Sequence, residues 1–173
     1  MQTQTLNANL GVAVSRKVLV IGVGNEYRHD DAAGLIVARQ LKAHTHPLWQ
    51  VHEQSGEATA LMQLWGDAEC VIVIDAVQSG APPGTVHTFD ATPQSLPARM
   101  FRGSSHLFGL TQAIELSRML RQLPPKFIVY GIEGEKFEPG IGISISVLNG
   151  IMGLVEIIRP AVHNTVLMSS IVP

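Results

Sequence analysis

The chain has 173 residues, of which 46% are hydrophobic and 15% are charged, and its formal net charge is −2. A chain of this length forms one domain that buries roughly 70% of its unfolded surface, so no disulfide or metal staple is needed. The net charge of −2 does not provide the basic surface by which proteins bind nucleic acids or anionic membranes. No apolar run approaches the roughly 20 residues of a membrane span. We therefore expect a cytoplasmic protein, and the single cysteine, Cys70, agrees with a reducing compartment.

The predicted strands are apolar runs bounded by turn residues. Four consecutive apolar residues, Val18 to Ile21, predict a strand that is buried on both faces, which is typical of a parallel sheet covered by helices. The predicted strands are Lys17 to Val23, Trp49 to Gln54, Cys70 to Asp75, Thr85 to Phe89 towards one edge, and Phe127 to Ile132.

Helical segments alternate with these strands. The predicted helices are Asp31 to Ala43, Ala58 to Leu64, His106 to Leu123, and Ile145 to Ile158. Pro160 is expected to end the last helix, because a proline lacks the N–H that the helix interior requires. Residues 90–105 form a long excursion, and loops of that length in compact domains are usually functional or mobile.

The order of elements predicts an α/β fold. We expect a three-layer α/β/α arrangement, with a mostly parallel sheet of about five strands and helices on both faces. A single domain should span residues 17–160, with flexible tails at 1–16 and 161–173. The first 16 residues lack the basic and apolar regions of a secretion signal, so none is expected there.

Three polar residues fall where strands end or helices begin. Asp31 follows the first strand at the start of the next helix, Asp75 ends the third strand, and His106 opens the third helix after Ser104 and Ser105. Sites of parallel sheets form at the edge where strands end and helices begin, so these side chains should converge. Two carboxylates and an imidazole suit a divalent ion such as Zn²⁺ or Ni²⁺, or a general acid–base site.

Each of these residues also has a structural explanation. Asp31 could only cap a helix, and His106 could be an ordinary histidine at a helix start. Asp75 could be a buried carboxylate satisfied by hydrogen bonds. Gly22-Val23-Gly24 invites a nucleotide-binding interpretation, but Tyr27 replaces the third glycine of that motif and the acidic pair at Asp30 and Asp31 would repel a phosphate.

Three motifs in the same order resemble the hydrogenase maturation proteases, which trim the C-terminus of nickel-containing hydrogenase large subunits. The first is G-x-G-N, a spacer and an acidic pair, here Gly22 to Asp31 followed by Gly34. The second is an apolar strand ending in Asp-Ala, here Val71 to Ala76, and the third is S-x-H-x-x-G-L, here Ser104 to Leu110. The resemblance covers residues 17–158.

The resemblance implies a hydrolase, an aspartyl-type endopeptidase, in which Asp31, Asp75 and His106 contact nickel. The metal is carried by the precursor of the large subunit, and zinc or cadmium would replace it in a crystal. The protease, expected as a monomer, reads this metal and then removes a short C-terminal extension. Residues that would surround the triad or contact the substrate are Asn25, His29, Asp30, Gly56, Glu57 and Ser105.

The chain departs from the family pattern at two places. Ala32 stands where glycine often follows the acidic pair, and Ser55-Gly56-Glu57 replaces a Gly-Gly-Thr turn. Glu57 would then add a carboxylate near the site and alter the selectivity for precursors.

Two other classes of protein remain as alternatives. A peptidyl-tRNA hydrolase has a similar G-x-x-N opening, but it needs a basic groove that a chain of charge −2 does not suggest. A non-catalytic nickel-delivery or scaffold protein could use the same triad, and it would bind metal and leave the precursor uncut.

Overall fold

A computed structural model of the chain describes residues 18–43, 49–97 and 107–169. Outside these ranges lie the tail predicted at residues 1–16 and residues 98–105 of the predicted excursion, which include Ser105. His106 and residues 170–173 also lie outside them. The elements, in chain order, are β1 (Val18–Val23), a 3₁₀ turn (His29–Ala32), α1 (Ala33–Lys42), β2 (Trp49–Gln54), α2 (Ala58–Trp65), β3 (Cys70–Val77), β4 (Val86–Asp90), α3 (Leu107–Met119), β5 (Lys126–Glu133) and α4 (Ile145–Ser169).

Within the described ranges, the strands form one five-stranded sheet in the order β2-β1-β3-β5-β4. Neighbouring strands are parallel except for β4, which pairs antiparallel with β5 at one edge. All six residues of β1 are buried, because helices cover both faces of the sheet. The predicted three-layer α/β/α fold and its mostly parallel sheet are confirmed.

Alternate residues of the central strands enter two separate cores. Val20 and Ile74 belong to the core that α1 and α4 cover, whereas Ile21 and Val73 belong to the core beneath α2 and α3. This alternation follows from the period of two along a strand. Because β1, β2, β3 and β5 are parallel, their C-terminal ends lie at the same rim of the sheet. We call this rim the carboxyl edge.

The entry to the first helix differs from the prediction. Asp31 lies in the 3₁₀ turn, and α1 begins only at Ala33. The N-cap residues of the turn and of α1 are Arg28 and Ala32, and neither makes a side-chain cap hydrogen bond, so Asp31 does not occupy the N-cap position. The tighter turn satisfies its backbone locally, because the N–H of Asp31 bonds to the carbonyl of Arg28 at 3.1 Å.

The last helix is longer than predicted. Pro160 lies inside α4, which continues to Ser169, so the prediction that this proline ends the helix is wrong. A proline removes one hydrogen bond and crowds the carbonyl of the preceding turn, but it does not prevent the residues after it from remaining helical. None of the helices in the described ranges is long and apolar enough to cross a membrane.

Candidate active site

Asp75 lies near the end of β3, at the carboxyl edge. It is fully buried, and its Oδ1 atom accepts a hydrogen bond of 2.8 Å from the backbone N–H of Ala76. The register pairs Ile74 with Gly22, so Asp75 stands beside the last residue of β1, Val23. A buried carboxylate at this position is retained at a cost in desolvation, which favours a functional role.

Asp31 reaches the same edge from the turn after β1. Its side chain is fully buried, and its 3₁₀ turn contacts β3 directly. The carbonyl of Asp31 accepts a hydrogen bond of 3.2 Å from the N–H of Asn25, which ties the turn to the end of β1. The segments that carry Asp31 and Asp75 therefore meet at one rim of the sheet.

Two glycines permit this close arrangement. A Cβ atom on Gly34 would lie 2.3 Å from the carbonyl oxygens of both Ile74 and Val23. A Cβ atom on Gly24 would lie 2.1 Å from the carbonyl oxygen of Asp31. Only glycine lets the start of α1 approach the ends of β1 and β3 so closely, and this approach positions Asp31 beside the strand of Asp75.

The segment that follows position 106 also adjoins the carboxyl edge. His106 lies outside the described residues, and α3 begins at the next position, Leu107. In the first turn of α3, a Cβ atom on Gly109 would lie 2.0 Å from the carbonyl oxygen of Gly56, two residues after the end of β2. Among the described residues alone, no group of three His, Cys, Asp or Glu side chains is arranged to hold a metal ion.

Asp30, the neighbour of Asp31, holds the loop between β5 and α4. Its buried carboxylate accepts backbone hydrogen bonds from Glu135 and Lys136, both at 2.9 Å, and from Ser144 at 2.7 Å. Burial alone would raise the pKa of Asp30, but the hydrogen bonds from Ser144, Glu135 and Lys136 outweigh it and hold that pKa below its ordinary value of 3.8.

The other predicted neighbours occupy the loops around this edge. Half-buried His29 has φ of 48° and its imidazole lies against Gly140, where a Cβ would be 2.1 Å from Nε2. Asn25 accepts a hydrogen bond of 3.0 Å from the N–H of Tyr27 through its side-chain oxygen.

Glu57 is exposed and caps α2. Its carboxylate accepts from the backbone N–H groups of Thr59 at 3.1 Å and Ala60 at 2.9 Å. The hydrogen bond from the Thr59 hydroxyl, together with these two backbone bonds, lowers the pKa of Glu57. Its carboxylate is thus engaged at the start of the helix, while the adjacent Gly56 is buried against α3.

Sequence reasoning did not single out Glu133, a buried carboxylate at the end of β5. It accepts from the N–H of Ser79 at 2.7 Å, from the N–H of Gly80 at 2.8 Å, and from the Ser79 hydroxyl at 2.7 Å. His87 Nε2 lies 3.3 Å from the same carboxylate. The rule that identified Asp75, a carboxylate at the end of a buried apolar strand, would also have found Glu133.

Together these features define an α/β protein with a buried carboxylate pair at the carboxyl edge of its parallel sheet. The model of the HycI hydrogenase maturation protease family matches residues 35–161, a range that includes Asp75 and His106 and begins after Asp31. The chain belongs to the hydrogenase maturation protease family, a family of peptidases. The interpretation as a peptidyl-tRNA hydrolase has no support from this match.

Curated relatives of the chain are described as hydrogenase maturation or hydrogenase expression/formation proteins. The chain is 30% identical over 136 residues to the hydrogenase 2 maturation protease of Escherichia coli, covering 76% of this chain and 81% of that protein. It is 28% identical over 121 residues to the hydrogenase expression/formation protein HupD of Thiocapsa roseopersicina, covering 68% of this chain and 54% of that protein. The chain thus spans about half the length of the HupD relative.

Solved structures share the fold. The hydrogenase maturating endopeptidase HybD from E. coli superposes with a TM-score of 0.76 at 24% identity, over 86% of this chain and 93% of that one. The [NiFe] hydrogenase maturation protease HybD from Thermococcus kodakarensis gives a TM-score of 0.65 at 26% identity, over 84% of this chain and 98% of that one.

Proposed function

We propose that this protein is an endopeptidase that removes a short C-terminal extension from the nickel-loaded precursor of a [NiFe]-hydrogenase large subunit. Membership of the maturation protease family supports this activity. The observation that carries it is the burial of Asp31 and Asp75 at one rim of the sheet, where α1 is pressed onto the ends of β1 and β3.

The proposed recognition group consists of Asp31, Asp75 and His106. The first two supply oxygen donors and the third supplies a nitrogen donor, a mixed set that suits a borderline divalent ion such as Ni²⁺ and also accepts Zn²⁺ or Cd²⁺. The nickel belongs to the precursor, so this protein reads it as part of its substrate. The close packing of Gly24 and Gly34 would hold the two carboxylates in place before the precursor arrives.

Two routes to hydrolysis are compatible with this group. In one, a water molecule polarised by the metal of the precursor attacks the peptide carbonyl. In the other, one carboxylate takes the proton from the attacking water, as in an aspartyl-type peptidase, and the metal only positions the substrate. We propose metal-assisted recognition with the base left unassigned between Asp31 and Asp75.

The direct test compares the precursor with and without nickel. Purified protein is incubated with each form of the large-subunit precursor, and the mass of the product is followed. We expect loss of the C-terminal extension only from the nickel-loaded form. Nickel binding by the protein with an uncut precursor would instead support the delivery or scaffold alternative.

A matched pair of variants assigns the activity to this site. Asp75→Asn should abolish trimming and leave the melting temperature nearly unchanged, because the amide is isosteric with the carboxyl group. Asp67→Asn makes the same chemical change at an exposed position after α2 and should trim normally. Trimming by Asp75→Asn at the unmodified rate would refute the role of Asp75.

We further propose that the protein acts as a monomer in the cytoplasm. The only cysteine of the chain, Cys70, is a free thiol, which agrees with a reducing compartment. Fractionation of cells and a sedimentation measurement of the purified protein would test the two statements separately.

A further inference from the structure

Two adjoining depressions lie beside the carboxyl edge, and they share one wall formed by Glu26, Tyr27 and Arg39. The first, the inner depression, has a volume of about 410 Å³ and the second, the outer depression, about 460 Å³. Each falls within the range of roughly 300–1,000 Å³ that is usual for ligand sites. A bound chain could therefore pass from one to the other around Tyr27.

The inner depression borders the candidate active site. Gly24 and Asn25 line it, and both touch the backbone of Asp31, through the close approach of Gly24 and the hydrogen bond of Asn25. Gln54, the last residue of β2, and Ser55, which follows it, line its other side. A peptide held across the carboxyl edge would thus continue directly into this space.

The outer depression is mainly apolar away from the shared wall. Its lining includes Ala32, Ile36, Ile141 and Ile143 as well as the ring of Tyr27. Tyr27 is 64% exposed and Ile141 is 81% exposed, so both present apolar surface to solvent at the rim. Large exposed apolar side chains clustered around a concave surface are typical of a binding site.

The rim of the outer depression is preformed. The N–H of Gly140 donates to the carbonyl of Tyr27 at 2.8 Å, and the N–H of His29 donates to the carbonyl of Gly140 at 3.0 Å. The guanidinium of Arg28 donates two hydrogen bonds to the carbonyl of Phe137, at 3.0 and 2.9 Å. The two loops that carry Tyr27 and Ile141 are therefore joined to each other, which lowers the entropic cost of binding.

The charged groups of the shared wall are already paired. Arg39 bonds to Glu53 at 2.8 Å and to Glu26 at 3.1 Å, and Lys42 bonds to Glu53 at 2.8 Å. Glu26 and Arg39, the charged residues of the shared wall, carry no net charge together, and Lys42 balances Glu53 beside them. An apolar side chain suits this environment better than an acidic or basic one, because a charged group would lose its hydration without gaining an ion-pair partner.

We propose that the outer depression binds an apolar side chain of the C-terminal segment of the precursor, close to the bond that is cut. This inference rests on the proposed function, because it takes the peptide at the carboxyl edge as the substrate. The depression would select precursors by the apolar residue that enters it, and would act on binding of the segment rather than on the hydrolytic step.

The test measures trimming of the nickel-loaded precursor by Ile141→Asp and by Ile157→Asp. Ile141 and Ile157 are both exposed, so neither change should disturb the core, and Ile157 lines neither depression. Placing a carboxylate at the apolar rim should raise KM about tenfold or more with kcat within about twofold. The Ile157→Asp control should behave as the unmodified protein.

A second measurement exchanges the apolar residues of the precursor extension, one at a time, for aspartate. With the unmodified protease, one of these precursors should show a rise in KM similar to that caused by Ile141→Asp. Combining this precursor with Ile141→Asp should raise KM little further, because both substitutions remove the same contact.

Three results would overturn the proposal or separate it from the proposed function. Equal KM values for Ile141→Asp and the unmodified protein would refute the apolar subsite while trimming continues. If Ile141→Asp weakens binding of the mature subunit, which lacks the extension, as much as it weakens binding of the precursor, the depression contacts the folded body of the partner instead. Failure of the unmodified protein to trim any nickel-loaded precursor would refute the proposed function itself.

Discussion

Gly34 lies so close to Ile74 that a Cβ atom on the glycine would stand 2.3 Å from the carbonyl oxygen of the isoleucine. Ile74 immediately precedes Asp75, and Gly34 follows Asp31 by less than one helical turn. This contact therefore fixes the distance between the two segments that carry the carboxylates. Close packing of the α1 backbone against the backbone at the ends of β1 and β3 thus helps to position the candidate active site.

Gly34→Ala should damage both stability and the site. The added methyl group meets backbone atoms of Val23 and Ile74 that cannot rotate away, so α1 must move from the sheet. Overpacking of this kind costs about 1–3 kcal/mol of unfolding free energy. Urea denaturation measures this loss, and the trimming assay should show reduced activity of the protein that remains folded.

Gly153→Ala provides the control for that substitution. Gly153 also lies in a helix, α4, but a Cβ atom there would have no heavy atom within 4 Å. The same change should raise the unfolding free energy by up to about 1 kcal/mol, because alanine favours the helix. Opposite signs for the two variants are expected, and equal effects would contradict the role given to close packing at Gly34.

Asp30→Asn should make the stability of the protein less dependent on pH. The lowered pKa of Asp30 in the folded protein means that its carboxylate stabilises the fold above the ordinary value of 3.8, and that this contribution is lost as pH falls through the lower, folded pKa. The amide accepts fewer of the three backbone hydrogen bonds, so about 1–3 kcal/mol should be lost near neutral pH.

Urea titrations at several pH values measure this difference. The gap in unfolding free energy between the unmodified protein and Asp30→Asn should be widest at neutral pH and should narrow below about pH 4. A gap that stays constant across the acid range would show that the hydrogen bonds to Asp30 do not depend on its charge.

The strands and the position of the carboxylates were predictable from sequence, since both depend on local patterns. Apolar runs such as Val18 to Ile21 identify buried strands, and Asp75 stands out because it interrupts such a run. The roles of Asp30 and Glu133 were not predictable in this way. The donors of Asp30 come from more than 100 positions away in the chain, and those of Glu133 from more than 50.

Contacts of that range depend on how the sheet orders its strands, which no local pattern records. The departure at Glu57, where the sequence suggested a carboxylate near the site, is different because its contacts are local. In the structure, its hydrogen bonds with Thr59 and Ala60 cap α2, a role that only the start of that helix defines.

Glu133→Gln should loosen the loop between β3 and β4. Oε1 of the carboxylate accepts from the N–H groups of Ser79 and Gly80 and Oε2 accepts from the Ser79 hydroxyl; the neutral amide of glutamine keeps one acceptor oxygen, which accepts weaker bonds than a charged carboxylate does. Hydrogen exchange at the amides of Ser79 and Gly80 should become at least about tenfold faster, which corresponds to roughly 1.4 kcal/mol of local stability.

An exposed glutamate supplies the comparison for this loop. Glu156 forms only a surface ion pair with Arg159, so Glu156→Gln should leave the exchange of Ser79 and Gly80 unaltered. Unchanged exchange in Glu133→Gln as well would mean that the loop is held by its turns and not by the buried carboxylate.

Pro160→Ala tests the helix that the sequence predicted to be shorter. Because Pro160 lacks an N–H, the carbonyl one turn earlier in α4 has no donor at this position, and alanine would restore the bond. Alanine also favours a helix interior by about 3 kcal/mol over proline, and this gain is partly offset by the greater freedom of the unfolded chain. A net gain of about 1–2 kcal/mol in the free energy of unfolding is therefore expected.

Thermal unfolding of Pro160→Ala followed by circular dichroism would show a higher melting temperature. Pro160 is exposed, so no loss of packing should oppose this gain, and a melting temperature that does not rise would indicate that the helix ends at Pro160 after all.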